Sequence, residues 1–216
     1  MNEAEFTIAL IILEIIFSLT VLRTLGKAGG KTSMLAVIGV IFAAWLAAMY
    51  TLISNGFFSA TGRSQLSFSV TVVIPVILGY VAVRLYMPLR QAVEAMTTED
   101  FLRLQYWRAA FGVMFFFTAA LPMWFKYVGG LGDIAAGIGA FLALAVFRKH
   151  PDQERRTIIR GNLIGILDFI VVITLGVGVV LQDQSPDMAF DLIPLYVVPI
   201  FILLHIFSVQ RLSKTV

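Results

Sequence analysis

Long runs of apolar residues, each near the length a helix needs to cross a bilayer, decide what this chain can fold into. The hydrocarbon core takes about 20 apolar residues in a helix. Seven runs in the 216-residue sequence approach or reach that length: 6–22, 33–52, 67–86, 109–125, 129–147, 161–181 and 192–209. Only short polar joints separate them. Composition agrees, since 59% of positions are hydrophobic and 13% charged, against about half and about 25% in soluble domains. The expected architecture is all-α, a single polytopic transmembrane domain of seven helices over residues 1–216.

The basic residues set the expected orientation, because short loops rich in Lys and Arg stay in the cytoplasm. Arg23, Lys27 and Lys31 follow the first run, and Arg84, Arg90, Arg103 and Arg108 surround the third connection. Arg148, Lys149, Arg155, Arg156 and Arg160 follow the fifth run, and Arg211 and Lys214 follow the last. That puts 14 of the 16 basic residues on alternate connections and leaves Arg63 and Lys126 for the opposite side. The N-terminus is therefore expected outside and the C-terminus in the cytoplasm. Glu3, Glu5, Asp183, Asp187 and Asp191 then fall outside. Met1 to Glu5 carries no Lys or Arg, so the first run is expected to stay as a helix and not to be cleaved as a signal peptide.

Between the third and fourth runs, Leu89, Ala92, Val93 and Met96 share one helical face, which predicts a short helix on the membrane surface. Thr97 and Thr98 before Glu99 and Asp100 predict a helix start. Tyr106, Trp107 and Trp124 have the placement of interfacial aromatic anchors. Pro122 and the glycines after Tyr127 allow a broken helix at the junction of the fourth and fifth runs.

Ionisable groups inside a span are costly and mark candidate sites. Glu14 lies in the middle of the first run, with Thr7 before it and Ser18 after it. Asp133 shares a face with Ala136, Gly137 and Ala140, and Asp168 with Gly161, Gly165, Val172 and Gly176. Small residues at a spacing of four let helix backbones approach, so both aspartates are expected to point at another helix. Gly39, Ala43 and Ala47 predict a similar close face in the second run. His205, in the last run, is one turn from Phe201 and Ser208.

The pattern Gly132-Asp133 with Gly137, Asn162 with Gly165, Asp168 and Gly176, then Ile193-Pro194, Val198-Pro199 and His205 resembles a group of uncharacterised bacterial multi-pass membrane proteins, over residues 121–212. The resemblance implies a bacterial inner-membrane location and marks Asp133, Asn162, Asp168 and His205 as the positions to test. It implies no particular activity.

Several classes are excluded or disfavoured. The chain has no cysteine, which removes disulfides, thiolate metal sites and cysteine nucleophiles. All five lysines lie outside the apolar runs, so a buried Schiff-base lysine is excluded. Two histidines cannot supply a bis-histidine haem within the membrane when one of them, His150, is in a loop. No metal site and no cofactor are expected. The net charge of +3 is spread over joints and not along one face, so no nucleic-acid partner is expected.

Three readings remain. In the first, a small-molecule or proton-coupled ion transporter uses Glu14, Asp133, Asn162, Asp168 and His205 as a substrate or proton path. In the second, the same groups fix packing in a non-catalytic subunit whose partner is another membrane protein or a second copy of the chain. The third is a membrane-embedded lipid enzyme.

Overall fold

The computed structural model describes residues 2–58, 64–118, 121–181 and 190–212, with side chains described over the same ranges except 64–66, 173–181 and 212. Arg63, Asp183, Asp187 and Lys214, used above for topology, lie outside the described residues, as does the side chain of Gly176's helical turn. All regular structure among the described residues is helical. The chain divides into two compact units, one of Met1–Met96 with Asp187–Leu203, the other of Thr97–Pro186 with Leu204–Val216.

In the first unit, helix α1 (Glu3–Lys27) begins at an Asn2–Glu5 capping box, where each side chain bonds the other's backbone N–H. It buries Phe6, Leu10, Glu14, Phe17, Ser18, Val21 and Leu25 and leaves Ile8, Ile12, Ile15, Ile16 and Leu19 exposed. Helix α2 (Thr32–Ser54) follows a turn at Gly29, whose φ of 92° suits a residue without Cβ. The expected close face at Gly39, Ala43 and Ala47 is not observed: Ala43 and Ala47 are exposed, and α2 packs through Met34, Leu46, Met49 and Ile53. Larger side chains bury more area, and in α2 they outweigh the close approach that small residues permit.

Helix α3 (Ser64–Leu85) contains Pro75, and α4 (Met87–Ala95) is the expected short amphipathic helix with Ala92 buried. The unit also includes a π-helical turn at Ile193–Val197 and the start of helix α10 (Val198–Leu212). Pro199 has no N–H to give the Leu195 carbonyl four residues earlier. That carbonyl accepts from Trp45 Nε1 at 3.0 Å, so a freed backbone group is satisfied from α2.

In the second unit, α5 (Thr98–Gln105) starts at the expected cap, a Thr97–Asp100 capping box. It is followed by α6 (Trp107–Met114) after a break at Tyr106. The expected single span at 109–125 is not one helix. Phe115, Phe116 and Phe117 tighten the end of α6 with bonds to carbonyls three residues back, and a new helix starts behind Pro122. This helix runs through α7 (Met123–Phe125), a π turn at Lys126–Gly130 and α8 (Leu131–Lys149). Lys126 is thus part of a continuous 27-residue helix and not of a loop. Tyr106 is partly buried against the cluster of Leu102, Ala140, Ala143 and Leu144, and its hydroxyl is buried. After a 3-10 turn at Pro151–Gln153 comes α9 (Glu154–Leu181), 28 residues long.

Among the described residues, five helices are long and apolar enough to cross a membrane: Glu3–Lys27, Thr32–Ser54, Ser67–Leu85, Met123–Lys149 and Ile193–Arg211. Val70, Val73, Ile74, Ile77, Leu78 and Val81 on α3 are all exposed. So large an apolar surface is unfavourable in water and favourable against lipid, which fits a membrane location.

Two glycines differ in what a Cβ would meet. At Gly137 it would fall 2.7 Å from both the backbone N and the Cβ of Ala109, and neither can move without shifting α6. At Gly79 it would meet the tip of the Leu203 side chain, which can rotate away. Gly137→Ala is expected to cost about 1–3 kcal/mol, the usual range for overpacking, and Gly79→Ala clearly less. Thermal unfolding of both variants in one detergent checks the order.

Candidate functional site

The second unit is held together by a cation that is completely buried. Arg108, on the first turn of α6, is 0% exposed. Its Nε donates to Asp133 Oδ1 on α8 at 2.8 Å, and Nη2 lies 2.7 Å from the same oxygen. Nη2 also donates to Asp168 Oδ2 on α9. Nη1 donates to the Gly165 carbonyl at 2.9 Å and lies 3.4 Å from His205 Nε2 on α10. The Phe169 ring covers the guanidinium at 3.9 Å, a cation–π contact made in a desolvated place.

A second layer fixes the histidine. Asn162 Nδ2 donates to the Ile158 carbonyl at 2.8 Å and to Ser208 Oγ at 3.0 Å, which turns Oδ1 toward His205 Nδ1 at 2.7 Å. An amide oxygen only accepts, so Nδ1 carries the proton and Nε2 presents its lone pair toward Arg108. Phe169 meets the His205 ring edge-on at 5.7 Å.

Missing side chains make room for these groups. A Cβ on Gly165 would stand 2.5 Å from Arg108 Nη1 and 2.7 Å from His205 Nε2, and one on Gly132 would overlap the Asp168 carboxylate. A Cβ on Gly112 would meet the Gly130 carbonyl at 2.6 Å and Asp133 Cβ at 2.9 Å, so this glycine lets α6 approach α8. The small-residue spacing read from the sequence thus builds the pocket that the ionic groups occupy.

Four of the five sequence candidates, Asp133, Asn162, Asp168 and His205, come together here. Glu14 lies in the first unit, fully buried on α1, and neither carboxyl oxygen has a hydrogen-bond partner among the described residues. Arg108 was read from the sequence only as a basic residue of a connection; the structure buries it completely against both aspartates. Two aspartates within apolar runs, with no counter-ion assigned to them, were the available signal. No cluster of three or more metal-ligating His, Asp or Glu side chains stands among the described residues, and the guanidinium at the centre opposes a metal cation.

A charged collar lies apart from this site in the same unit. Arg103 and Arg148 both bond Glu99, and Glu154 joins Thr98 and Arg211. The bond from Arg148, with Arg103 beside it, holds the Glu99 carboxyl below the usual carboxylate range. Pairs as exposed as these add little to stability, because solvent screens them.

The family of a domain of unknown function, DUF8737, matches residues 63–213. The chain belongs to the DUF8737 family. Arg108 and all its partners lie inside the matched region, and Glu14 precedes it. The expected kinship with an uncharacterised family is met at that level and names no activity. No curated protein and no solved structure matches the chain.

Removing one member of a buried ion cluster leaves the others uncompensated, at a cost of about 3–5 kcal/mol. Arg108→Met is expected to lose that much. Arg108→Met combined with Asp133→Asn and Asp168→Asn should recover most of it, because no charge is then left buried. Unfolding of the single and triple variants in one detergent is the measurement, and a single variant as stable as wild type would contradict the assigned pairing.

Proposed function

We propose that this protein is a proton-coupled membrane transporter of a small solute or ion, and that Arg108, Asp133 and Asp168 form its proton-binding group. The carrying observation is the charge count. One guanidinium faces two carboxylates that accept from the same nitrogen. With both aspartates ionised the cluster holds one uncompensated negative charge away from water, which costs several kcal/mol. One proton shared by the two carboxylates brings it to neutrality. Proton uptake and release would then change how tightly Arg108 binds its partners, which touch α6, α8 and α9. His205, held by Asn162, contributes a neutral acceptor beside the guanidinium. Ionisable groups inside a membrane are most often placed on ion or proton pathways.

The saturation of Arg108 supports a second reading, a non-catalytic membrane subunit in which the cluster only locks the helices. Melting temperature against pH in one detergent separates the two. The transporter reading expects a pH dependence in wild type that Asp168→Asn abolishes while the fold is kept. Superimposable curves would remove Asp168 as a titrating group and favour the subunit.

The same reading includes seven crossings, with the N-terminus outside and the C-terminus in the cytoplasm, in which the segment beginning with α6 and helix α9 supplement the five long apolar helices. The alternation of basic joints supports it. Because the chain is free of cysteine, single cysteines at Ser59 and Ser185 should react with an impermeant maleimide on intact cells, and one at Ser213 should not. All three positions lie outside the described residues. Labelling at Ser213 would reverse the orientation.

A further inference from the structure

Glu14 poses a separate problem, in the first unit. It is 0% exposed on the inner face of α1, between Leu10 and Phe17, both of which are also 0% exposed. Neither of its carboxyl oxygens has a hydrogen-bond partner among the described residues. The charged and titratable groups of the elements around it are placed elsewhere. Arg23 and Lys27 lie toward the end of α1, α2 offers only the exposed Tyr50, and Arg90 and Glu94 of α4 pair with each other. The segment 190–203 contributes Asp191, ahead of the π turn, and Tyr196 within it.

Tyr196 is the exception because its hydroxyl lies 2.6 Å from Ser18 Oγ, and Ser18 is one helical turn after Glu14. The directions of these bonds are determined. Ser18 has one hydroxyl proton and gives it to the Glu14 backbone carbonyl at 2.8 Å. Tyr196 must therefore donate to Ser18, which leaves the Tyr196 oxygen able only to accept. The hydroxyl pair one turn from Glu14 thus has no proton left to give, and an ionised Glu14 would have no donor among the described residues. On the same buried face of α1, the Phe17 ring lies 4.8 Å from the Phe201 ring, an apolar contact.

We propose that Glu14 is a second proton-binding group, carried as the neutral carboxylic acid, because a carboxylate buried here would face no donor among the described residues. This inference goes beyond the function proposed above and does not rest on it, since Glu14 and its hydroxyl pair belong to the first unit and the arginine cluster to the second.

Infrared spectroscopy of the whole detergent-solubilised protein tests it. At neutral pH the carbonyl-stretch region of protonated carboxylic acids should contain a band that shifts when glutamate is labelled with 13C at its side-chain carboxyl. The other glutamates are exposed or ion-paired: Glu3 and Glu5 are exposed, Glu94 pairs with Arg90, Glu99 with Arg103 and Arg148, and Glu154 with Arg211. The isotope comparison on wild type thus isolates Glu14 even where a variant fails to fold. Glu14→Gln should lose the glutamate-sensitive band. Absence of a glutamate-sensitive acid band in wild type would overturn the proposal, as would its persistence in Glu14→Gln. The aspartates of the arginine cluster carry no label, so their behaviour cannot produce either result.

Discussion

A single desolvated guanidinium organises the second unit. Arg108 draws acceptors from three other helices: Asp133 from α8, Gly165 and Asp168 from α9, and the His205 ring from α10. None of these groups could be buried alone at tolerable cost. Together they are mutually satisfied, so the helices have one arrangement in which all the polar atoms find partners. Apolar packing supplies the attraction in this unit, and the ion cluster supplies the specificity. The collar of Glu99, Arg103 and Arg148 is of a different kind, because water can replace each of its partners.

Much of this was legible in the sequence for a simple reason. In a membrane, small residues and charges are each unfavourable on a lipid-facing surface or of no use there, so their coincidence on α8 and α9 marked the inward faces correctly. The capping box at Thr97 and the amphipathic α4 followed local rules that need no tertiary knowledge. Arg108 did not follow, because any basic residue near the end of an apolar run satisfies the positive-inside pattern whether it faces water or a carboxylate. The fourth run misled because apolarity carries no record of backbone continuity. Phe115 to Phe117 are as apolar as a helix interior, yet the chain turns there and restarts at Pro122. The glycines that looked like a joint are absorbed into a π turn.

The two units treat a buried carboxyl in opposite ways. Asp133 and Asp168 share a cation that donates to both, whereas the Glu14 carboxyl has no donor among the described residues. The first arrangement stabilises charge by pairing; the second is stable only if charge is absent. The contrast is visible without reference to any particular substrate, since it follows from donor and acceptor counts.

The glycines around the arginine carry a consequence for comparing members of this family. Aspartate and histidine can be kept in a lineage for many reasons, and their presence alone says little about geometry. Gly165 and Gly132 are different, because any larger residue would occupy the volume of Arg108, His205 or the Asp168 carboxylate. A relative that retains the acids but has lost either glycine cannot assemble this cluster as seen here. The two empty positions are therefore a sharper diagnostic of a shared site than the ionisable residues themselves.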